Sequence, residues 1–454
     1  MTGFFVSLTC YNSLKERKLV MTSKNISELA KFYKKKRTER IDALEKAGFV
    51  GTEEKDLLTN QLALSEDVAD SMIENQVATY QLPYGLALNF LIDDQDYVVP
   101  MAMEEPSVIA AASSAAKLFA QHGGFQTAVT ERMMIGQAIL TNVPDPEKAI
   151  AIIDDYEIDI IQKANQAHPS IVKRGGGADS IRIREIQADP EYNTPHFLIV
   201  HLHVETLEAM GANMINTMME AILPYLEELS GGTALMGILS NYATECLATA
   251  SCRVPADALA KGELSGEEVR DLIVLASQLA TVDPYRAVTH NKGIMNGVDA
   301  VVLASGNDWR AMEAGVHAYA SRSGQYRALS SWKTADNGDL IGELTLPMPV
   351  GTVGGSISFH PGAKMTHHLL DYPNAEQLES IIVSVGLAQN FSAIRALVTE
   401  GIQKGHMGLH ARSLAISAGA TADDIELVAA ELKNHKHMNL AQAKEILDHL
   451  KQNR

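Results

Sequence analysis

The chain is short of the features that usually betray a function. Only three cysteines, Cys10, Cys246 and Cys252, occur in 454 residues. That excludes a disulfide framework and a four-thiolate zinc site, and it suits a reducing compartment. Positive charge is scarce: 38 Lys+Arg stand against 56 Asp+Glu, a net charge of −18. So acidic a surface repels phosphate backbones and anionic lipid, so nucleic acid and membrane are not expected partners. An anionic ligand would need a local positive pocket. By its sequence, no apolar run is expected to approach the roughly 18–20 residues of a membrane span. No cation precedes the short apolar run Phe4–Leu8, and Lys15, Arg17 and Lys18 follow it, the reverse of a signal peptide. Residues 1–22 therefore read as an extension outside the fold. There is no G-x-G-x-x-G after a strand, no Walker loop, no H-E-x-x-H and no C-x-x-C, which removes the usual Rossmann, P-loop and zincin readings.

What is present is ordinary globular composition, 46% hydrophobic and 21% charged, in a chain long enough for two or three domains. Ser27 to Lys36 reads as a basic amphipathic helix, and Leu57 to Val77 as a second helix. Tyr80–Leu88 and Asp96–Met101 read as strands around an acidic turn, and an alanine-rich helix starts at Pro106 and stops at Gly123-Gly124. Ala149–Tyr156 and His196–Val204 read as strands on either side of Gly175-Gly176-Gly177, and Met214–Leu229 as a helix ending at Gly231-Gly232. Residues 134–244 thus form a compact α+β unit inserted in a larger one. Further on, helices follow Ser265, Ala300–Ala304 and the Gly-rich Leu344–Ser358 read as strands, and a helical C-terminal region opens with the capping pattern Thr421–Asp424. Gly405 and Gly419 bracket a segment suited to hinging.

Four polar clusters interrupt this apolar background. Glu104-Glu105-Pro106-Ser107 places two carboxylates before a helix, where they could act in chemistry or merely favour the helix start. Arg286 to Gly297 is cationic and amide-rich, with a solvated loop as the bland alternative. Ser305 to Arg310 contains Asp308, which could simply cap the next helix. Gly405 to Arg412 carries His406 and His410. His201 and His203 share a strand face but lack further ligands for zinc. His367-His368 and the pair His435 and His437 read as surface positions, and Cys246 and Cys252 as core thiols in helix-like sequence.

Taken in order, Glu74-Asn75, Leu82-Pro83-x-Gly85, Glu104-Glu105-Pro106-Ser107, Glu208-Ala209-Met210-Gly211-Ala212-Asn213, the Lys292 segment, Gly306-Asn307-Asp308-Trp309 and Gly405-His406-Met407 resemble the 3-hydroxy-3-methylglutaryl-CoA (HMG-CoA) reductases. The match is to the soluble bacterial type, class II, from about Ile26 to the C-terminus. The resemblance implies an α+β fold with a large helix-rich substrate-binding domain (residues 23–133 and 245–400). A small ferredoxin-like, non-Rossmann dinucleotide-binding domain (134–244) is inserted in it, and a helical flap (401–454) follows. It also implies four-electron reduction of (S)-HMG-CoA to mevalonate and CoA with two NAD(P)H, in a cytoplasmic homodimer, or higher dimer-based oligomer, whose active sites lie at the subunit interface. Glu105, Lys292, Asp308 and His406 match the catalytic residues. Ser107, Arg286 and Asn296 match positions that hold the hydroxymethylglutaryl group, and Arg40, Gln389 and His410 positions at CoA or near it. Glu208, Met210, Gly211 and Asn213 match the dinucleotide motif, with glutamate where the family has aspartate. Near the glycine run, Lys173 and Arg174 stand where cofactor preference is set, which points to NADPH; no metal is implied.

The residue types suit that reaction. Each hydride transfer builds negative charge on a carbonyl oxygen, which a lysine ammonium stabilises. A carboxylic acid in reach can supply the proton, and a protonated imidazole can neutralise a departing thiolate. Other readings are the reverse, mevalonate-degrading oxidation, a CoA-thioester transferase or condensing enzyme using Cys246 or Cys252, and a non-catalytic CoA-binding scaffold.

Overall fold

In the computed structural model, residues 24–401, 411–421, 423–435 and 438–452 are described. Ten strands form two sheets: β1 Tyr84–Ile92, β2 Gln95–Ala102, β3 Phe125–Val129, β4 Met133–Thr141, β5 Gly177–Ile186, β6 Phe197–Glu205, β7 Thr233–Ser240, β8 Leu247–Val254, β9 Ser330–Thr334 and β10 Leu340–Pro347. The first sheet runs β2-β1-β3-β8-β10-β9 and the second β5-β6-β4-β7. All neighbours are antiparallel except β1 and β3.

The β1–β2 hairpin turns at Asp93 and Asp94, both at positive φ (47° and 64°), the backbone that a two-residue hairpin turn requires. Against the six-stranded sheet lie the helices Val108–Ala120, Pro284–Ala304 and Ala375–Val398. Phe119, Phe125, Trp332 and Phe391 interlock at the centre of this core, with ring centroids 4.8–6.4 Å apart. The Ala375–Val398 helix is long and apolar enough to cross a bilayer, contrary to the expectation that no such segment occurs. It is instead the central core helix, with Leu378, Ile382, Val385 and Phe391 buried.

In the second sheet one face is apolar throughout. Leu198, Val200, Leu202 and Val204 of β6 and Ala138 and Leu140 of β4 are fully buried, under the helices Pro146–Asp155, Glu157–Ala167 and Ala212–Ser230. Gly136 lets the last of these settle closely, since a Cβ there would lie 2.4 Å from Met219 Sδ. Smaller clusters gather the segment around Leu29, Leu44 and Phe49, and the C-terminal helices around Val428 and Leu447.

Several elements differ from their sequence readings, each for a local reason. Residues 149–155 are helical, within Pro146–Asp155, and Tyr156 is the C-cap: Asp145 caps by accepting the Lys148 N–H at 3.1 Å, and Pro146 takes the first position. Ala300–Ala304 is the last turn of a 21-residue helix begun by Asp283 and Pro284, so the Arg286–Gly297 segment is helix rather than loop. Leu57–Val77 divides into parts of two helices, Thr52–Thr59 and Glu66–Met72, parted at Gln61 and Leu62, both at positive φ. Ser27–Lys36 folds as two 3-10 turns, Ile26–Leu29 and Phe32–Lys34, ahead of the Arg37–Lys46 helix. The Gly-rich strand region keeps only the end of β10, which stops at Pro347. Cys246 precedes β8 and Cys252 lies within it. His367 is buried, its Nε2 3.2 Å from the Ser305 carbonyl oxygen.

Where the sheets meet, Arg132 pairs with Glu379, both buried. The guanidinium also donates to the carbonyls of Leu207 (2.6 Å), Ala209 (3.2 Å) and Val350 (2.6 Å). Arg132→Met leaves the Glu379 carboxylate buried without its cation and is expected to destabilise the protein by about 3–5 kcal/mol. Arg132→Met/Glu379→Leu should recover part of that loss, as checked by denaturation of both variants.

Candidate active site

Glu105 lies between β2 and the Val108–Ala120 helix. Its Oε2 accepts from Lys292 Nζ at 2.7 Å, and its Oε1 from Asn296 Nδ2 at 3.3 Å. Lys292 and Asn296 are one turn apart on the Pro284–Ala304 helix and so share a face. That helix is anchored from below: Asn291 Nδ2 donates to the Arg327 carbonyl at 2.9 Å and its Oδ1 accepts the Leu329 N–H at 3.0 Å. His290 Nε2 meets Ser330 Oγ at 2.7 Å and Asn390 Nδ2 at 3.0 Å. Nearly three turns before Asn296, Arg286 is half-buried, and among the described residues no hydrogen bond or carboxylate engages its guanidinium. Burial lowers its pKa, so an anionic ligand there would be favoured.

Ser107 caps the Val108–Ala120 helix at φ 76°, a left-handed backbone that side chains other than glycine rarely adopt, and its Oγ is buried without a hydrogen-bond partner. An unused buried hydroxyl two residues from Glu105 marks a polar position held for a ligand. Gln389 on the core helix is similar: it is buried, its Oε1 lacks a partner, and a Cβ on Gly297 would lie 3.1 Å from its own Cβ. Gln389 therefore packs against Gly297, the residue after Asn296.

Asp308 caps the Trp309–Ala320 helix, its Oδ1 accepting from Arg310 N at 3.0 Å and Ala311 N at 3.1 Å, while Arg310 approaches it at 3.6 Å. The described contacts of Glu105 and Lys292 do not include it. Next to it, Asn307 grips Gly351 from both sides: its Nδ2 donates to the Gly351 carbonyl at 3.0 Å and its Oδ1 accepts the Gly351 N–H at 2.7 Å. Gly351 in turn abuts the backbone of Glu208, Ala209 and Met210; a Cβ there would come within 2.8 Å of Met210 N. Arg40 turns inward to the carbonyls of Phe32 (3.2 Å) and Tyr33 (3.3 Å). His406 and His410, with Gly405, lie outside the described residues.

A second feature is the start of the Ala212–Ser230 helix. Gly211 precedes it at φ 92°, and a Cβ there would meet Thr206 Cγ2 at 2.6 Å. Met210 is half-buried beside it and Asn213 is exposed on the first turn. Free N–H groups at the head of a 19-residue helix suit a phosphate. The glycine run lies alongside: a Cβ on Gly176 would sit 2.7 Å from the Glu205 carbonyl oxygen and 3.0 Å from Leu207 Cγ. Exposed Lys173 and Arg174 immediately precede it, Arg174 Nε donating to the Ser170 carbonyl at 3.1 Å. The residues present therefore fit a dinucleotide. Glu208 behaves differently: its Oε2 accepts from Thr352 Oγ1 at 2.6 Å and from Ala375 N at 2.9 Å.

The remaining candidates are accounted for structurally. His201 Nε2 meets Gln137 Nε2 at 2.9 Å, and burial lowers its pKa to about 4. His203 Nδ1 is 3.4 Å from Ser180 Oγ. No group of three or more metal-ligating side chains occurs among the described residues. Both described cysteines are buried; burial pushes the Cys246 thiol up to about 11 and Cys252 higher. Neither is placed to be a thiolate nucleophile, which removes the condensing-enzyme reading. Sequence reasoning missed Arg132, Glu379 and Thr352. The first two carry a faint signal, a lone charge beside an apolar strand and another within an apolar helix.

An ammonium–carboxylate pair, a guanidinium without a partner among the described residues and a glycine-framed helix start that suits a phosphate together fit an oxidoreductase. A family model, hydroxymethylglutaryl-coenzyme A reductase, matches residues 36–411. The chain is 44% identical over 426 residues to the 3-hydroxy-3-methylglutaryl-coenzyme A reductase of Archaeoglobus fulgidus, covering 94% of this chain and 95% of that one. It is 34% identical over 354 residues to the probable enzyme of Borreliella burgdorferi, covering 77% and 79%. A solved reductase from Streptococcus pneumoniae superimposes with a TM-score of 0.80 at 49% identity, over 93% of this chain and 99% of that one. Another structure of the class II enzyme from that organism, bound to NADPH in open conformations, gives 0.79 at 50% identity, over 82% and 100%. The chain belongs to the hydroxymethylglutaryl-CoA reductase family.

The backbone at Ser107 yields a test of whether that hydroxyl serves stability or a ligand. Ser107→Gly should relieve the left-handed strain and raise stability by about 0.5–1 kcal/mol, measured by thermal denaturation. The same variant should raise KM for the acyl substrate.

Proposed function

We propose that this protein reduces (S)-HMG-CoA to mevalonate and free CoA with two equivalents of reduced nicotinamide dinucleotide, serving the mevalonate route to isoprenoids. The observation that carries the reading is the Lys292–Glu105–Asn296 constellation, 2.7 Å and 3.3 Å across, beside the unpaired Arg286. When bound, the reduced nicotinamide supplies hydride to the carbonyl carbon. Lys292 stabilises the charge that develops on the carbonyl oxygen. Glu105, bonded to Lys292, delivers the proton, and Asp308 adds a second carboxylate to the unit. Arg286, Ser107 and Asn296 hold the hydroxymethylglutaryl group, Arg286 through its carboxylate. His406 protonates the departing CoA thiolate, and Arg40, Gln389 and His410 line the CoA side. The same residues serve the reverse oxidation.

Supporting the domain reading, 134–244 holds the order β4, two helices, β5, β6, helix, β7 with spatial order β5-β6-β4-β7, the arrangement of a ferredoxin-like unit. We assign 23–133 and 245–400 to the substrate domain, 401–454 to a flap and 1–22 to an extension. A homodimer fits a stripe of exposed apolar side chains, Leu275, Leu279, Val282, Tyr285 and Val288, too continuous for a bare monomer surface. Tyr285 and Val288 flank Arg286, which would set the active site at the subunit boundary of a cytoplasmic enzyme.

The direct test is absorbance of the reduced nicotinamide ring with and without HMG-CoA; no HMG-CoA-dependent oxidation with either cofactor would refute the reading. Glu105→Gln and Lys292→Ala should each lower kcat by about a hundredfold or more while the protein stays folded. His406→Gln should spare mevaldehyde reduction, which releases no thiolate, more than HMG-CoA reduction.

For the cofactor we propose NADPH. Lys173 and Arg174 are exposed cations beside the glycine run of an otherwise acidic chain, and the Streptococcus relative is described bound to NADPH. A charge-assisted contact to the 2′-phosphate contributes about 1.5–3 kcal/mol. Lys173→Ala/Arg174→Ala should therefore lower kcat/KM for NADPH by about tenfold or more and leave that for NADH nearly unchanged. A wild-type preference for NADH would reject the assignment.

A further inference from the structure

The loop that opens the dinucleotide cradle, Leu207 to Gly211, makes few bonds within its own sheet. Its backbone bonds inside that unit are Ala209 N to the Thr206 carbonyl at 3.1 Å and Ile215 N to the Gly211 carbonyl at 2.9 Å. Leu207 N also donates to the Glu205 side chain at 2.9 Å, and further bonds run to the substrate-binding side. Arg132 takes the Leu207 and Ala209 carbonyls while paired to Glu379. The Glu208 carbonyl accepts the Thr352 N–H at 2.8 Å, and Ala209 forms a bridge with Val353. The Glu208 carboxylate reaches the head of the 24-residue Ala375–Val398 helix, where Ala375 N and Thr352 Oγ1 both donate to Oε2. A carboxylate is favoured there by the helix dipole and by charge-assisted hydrogen bonds. Glutamate stands here where the family motif has aspartate, and its additional methylene lengthens the reach toward Ala375.

We propose that Glu208 is a positioning residue rather than a cofactor ligand: docked on Thr352 and the Ala375 N–H, it holds the Gly211–Asn213 helix start in register for the dinucleotide. Thr352 is its partner and, together with the Arg132 clasp, forms the second point of a two-point clamp. This rests on reading the Gly211–Asn213 helix start as the dinucleotide site. Asn307 grips Gly351, the residue before Thr352. The clamp therefore also ties the cradle to the Asp308 turn of the same chain.

The test is steady-state kinetics and equilibrium NADPH binding on the full-length protein, with Glu208→Ala, Glu208→Gln, Thr352→Val, Thr352→Ser, the double Glu208→Ala/Thr352→Val, and Asn213→Ala. Glu208→Ala should raise KM and Kd for NADPH about tenfold and move KM for HMG-CoA less than twofold. Thr352→Val, which removes only a clamp hydroxyl, should raise the NADPH constants about threefold. The double variant should be no worse than Glu208→Ala, because both substitutions break one clamp. Glu208→Gln and Thr352→Ser should recover most of each loss, since an acceptor and a hydroxyl remain. If Thr352→Val leaves NADPH binding unchanged, or its effect simply multiplies that of Glu208→Ala, Glu208 acts directly on the cofactor and the clamp is refuted. If the Glu208 and Thr352 variants shift both substrates' KM equally, the role is general stability and the proposal fails. Asn213→Ala separates the two layers: unchanged NADPH binding there would overturn the underlying cradle reading, whereas weakened binding with inert Glu208 and Thr352 variants would overturn the clamp alone.

Discussion

A guanidinium and a carboxylate buried together between two sheets set the constraint on which this molecule depends. Arg132 and Glu379 come from elements 247 positions apart, the lead-in to β4 and the core helix. Such a pair adds little net stability against a hydrophobic alternative, but an unpaired member is severely penalised. It therefore acts as a registration device: the two sheets can pack in the one arrangement that satisfies both charges. The three carbonyls that Arg132 also binds lie in two loops, around 207–209, which leads into the Ala212–Ser230 helix, and at 350, next to the Gly351 that Asn307 holds.

The site beside this junction has a consistent electrostatic logic. In a chain of net charge −18, a few cations stand out at the proposed site: Arg286 without a carboxylate among the described residues, Lys292 against Glu105, and Lys173 and Arg174 by the glycine run. Groups that could compete are withdrawn. The buried thiols are held protonated, and His201 is kept neutral by burial. Two buried polar atoms are left without partners, Ser107 Oγ, two residues from Glu105, and Gln389 Oε1, on a side chain packed against Gly297.

Much of this was legible in the sequence because site motifs are local. Glu105, Ser107, Lys292 and Asn296 lie in short polar clusters that are ambiguous alone and are singled out by the ordered motifs that resemble the reductase family; the structure bonds Glu105 to both Lys292 and Asn296. Secondary structure was less legible where one residue decided between alternatives. Asp145-Pro146 turned an apolar run into a helix, and Asp283-Pro284 did the same for a segment read as loop and strand. Arg132 with Glu379, and Glu208 with Thr352, were hidden for another reason. Each is a tertiary pair over more than a hundred positions, and no local pattern announces it. His367 was misjudged because a histidine next to another histidine carries no mark of burial; only its bond to the Ser305 carbonyl reveals it.

Arg286, Lys292 and Asn296 all ride on one straight run of helix, Pro284–Ala304, seated on buried Asn291 and His290. Their mutual spacing is therefore a property of helix geometry, not of tertiary packing. Glu105, by contrast, belongs to the loop after β2. Motion in the site reduces largely to a single coordinate, the separation between that loop and the helix. Fluctuation along it would vary the Glu105–Lys292 gap, and carry Ser107 with Glu105, while the mutual spacing of Arg286, Lys292 and Asn296 stays fixed by their helix.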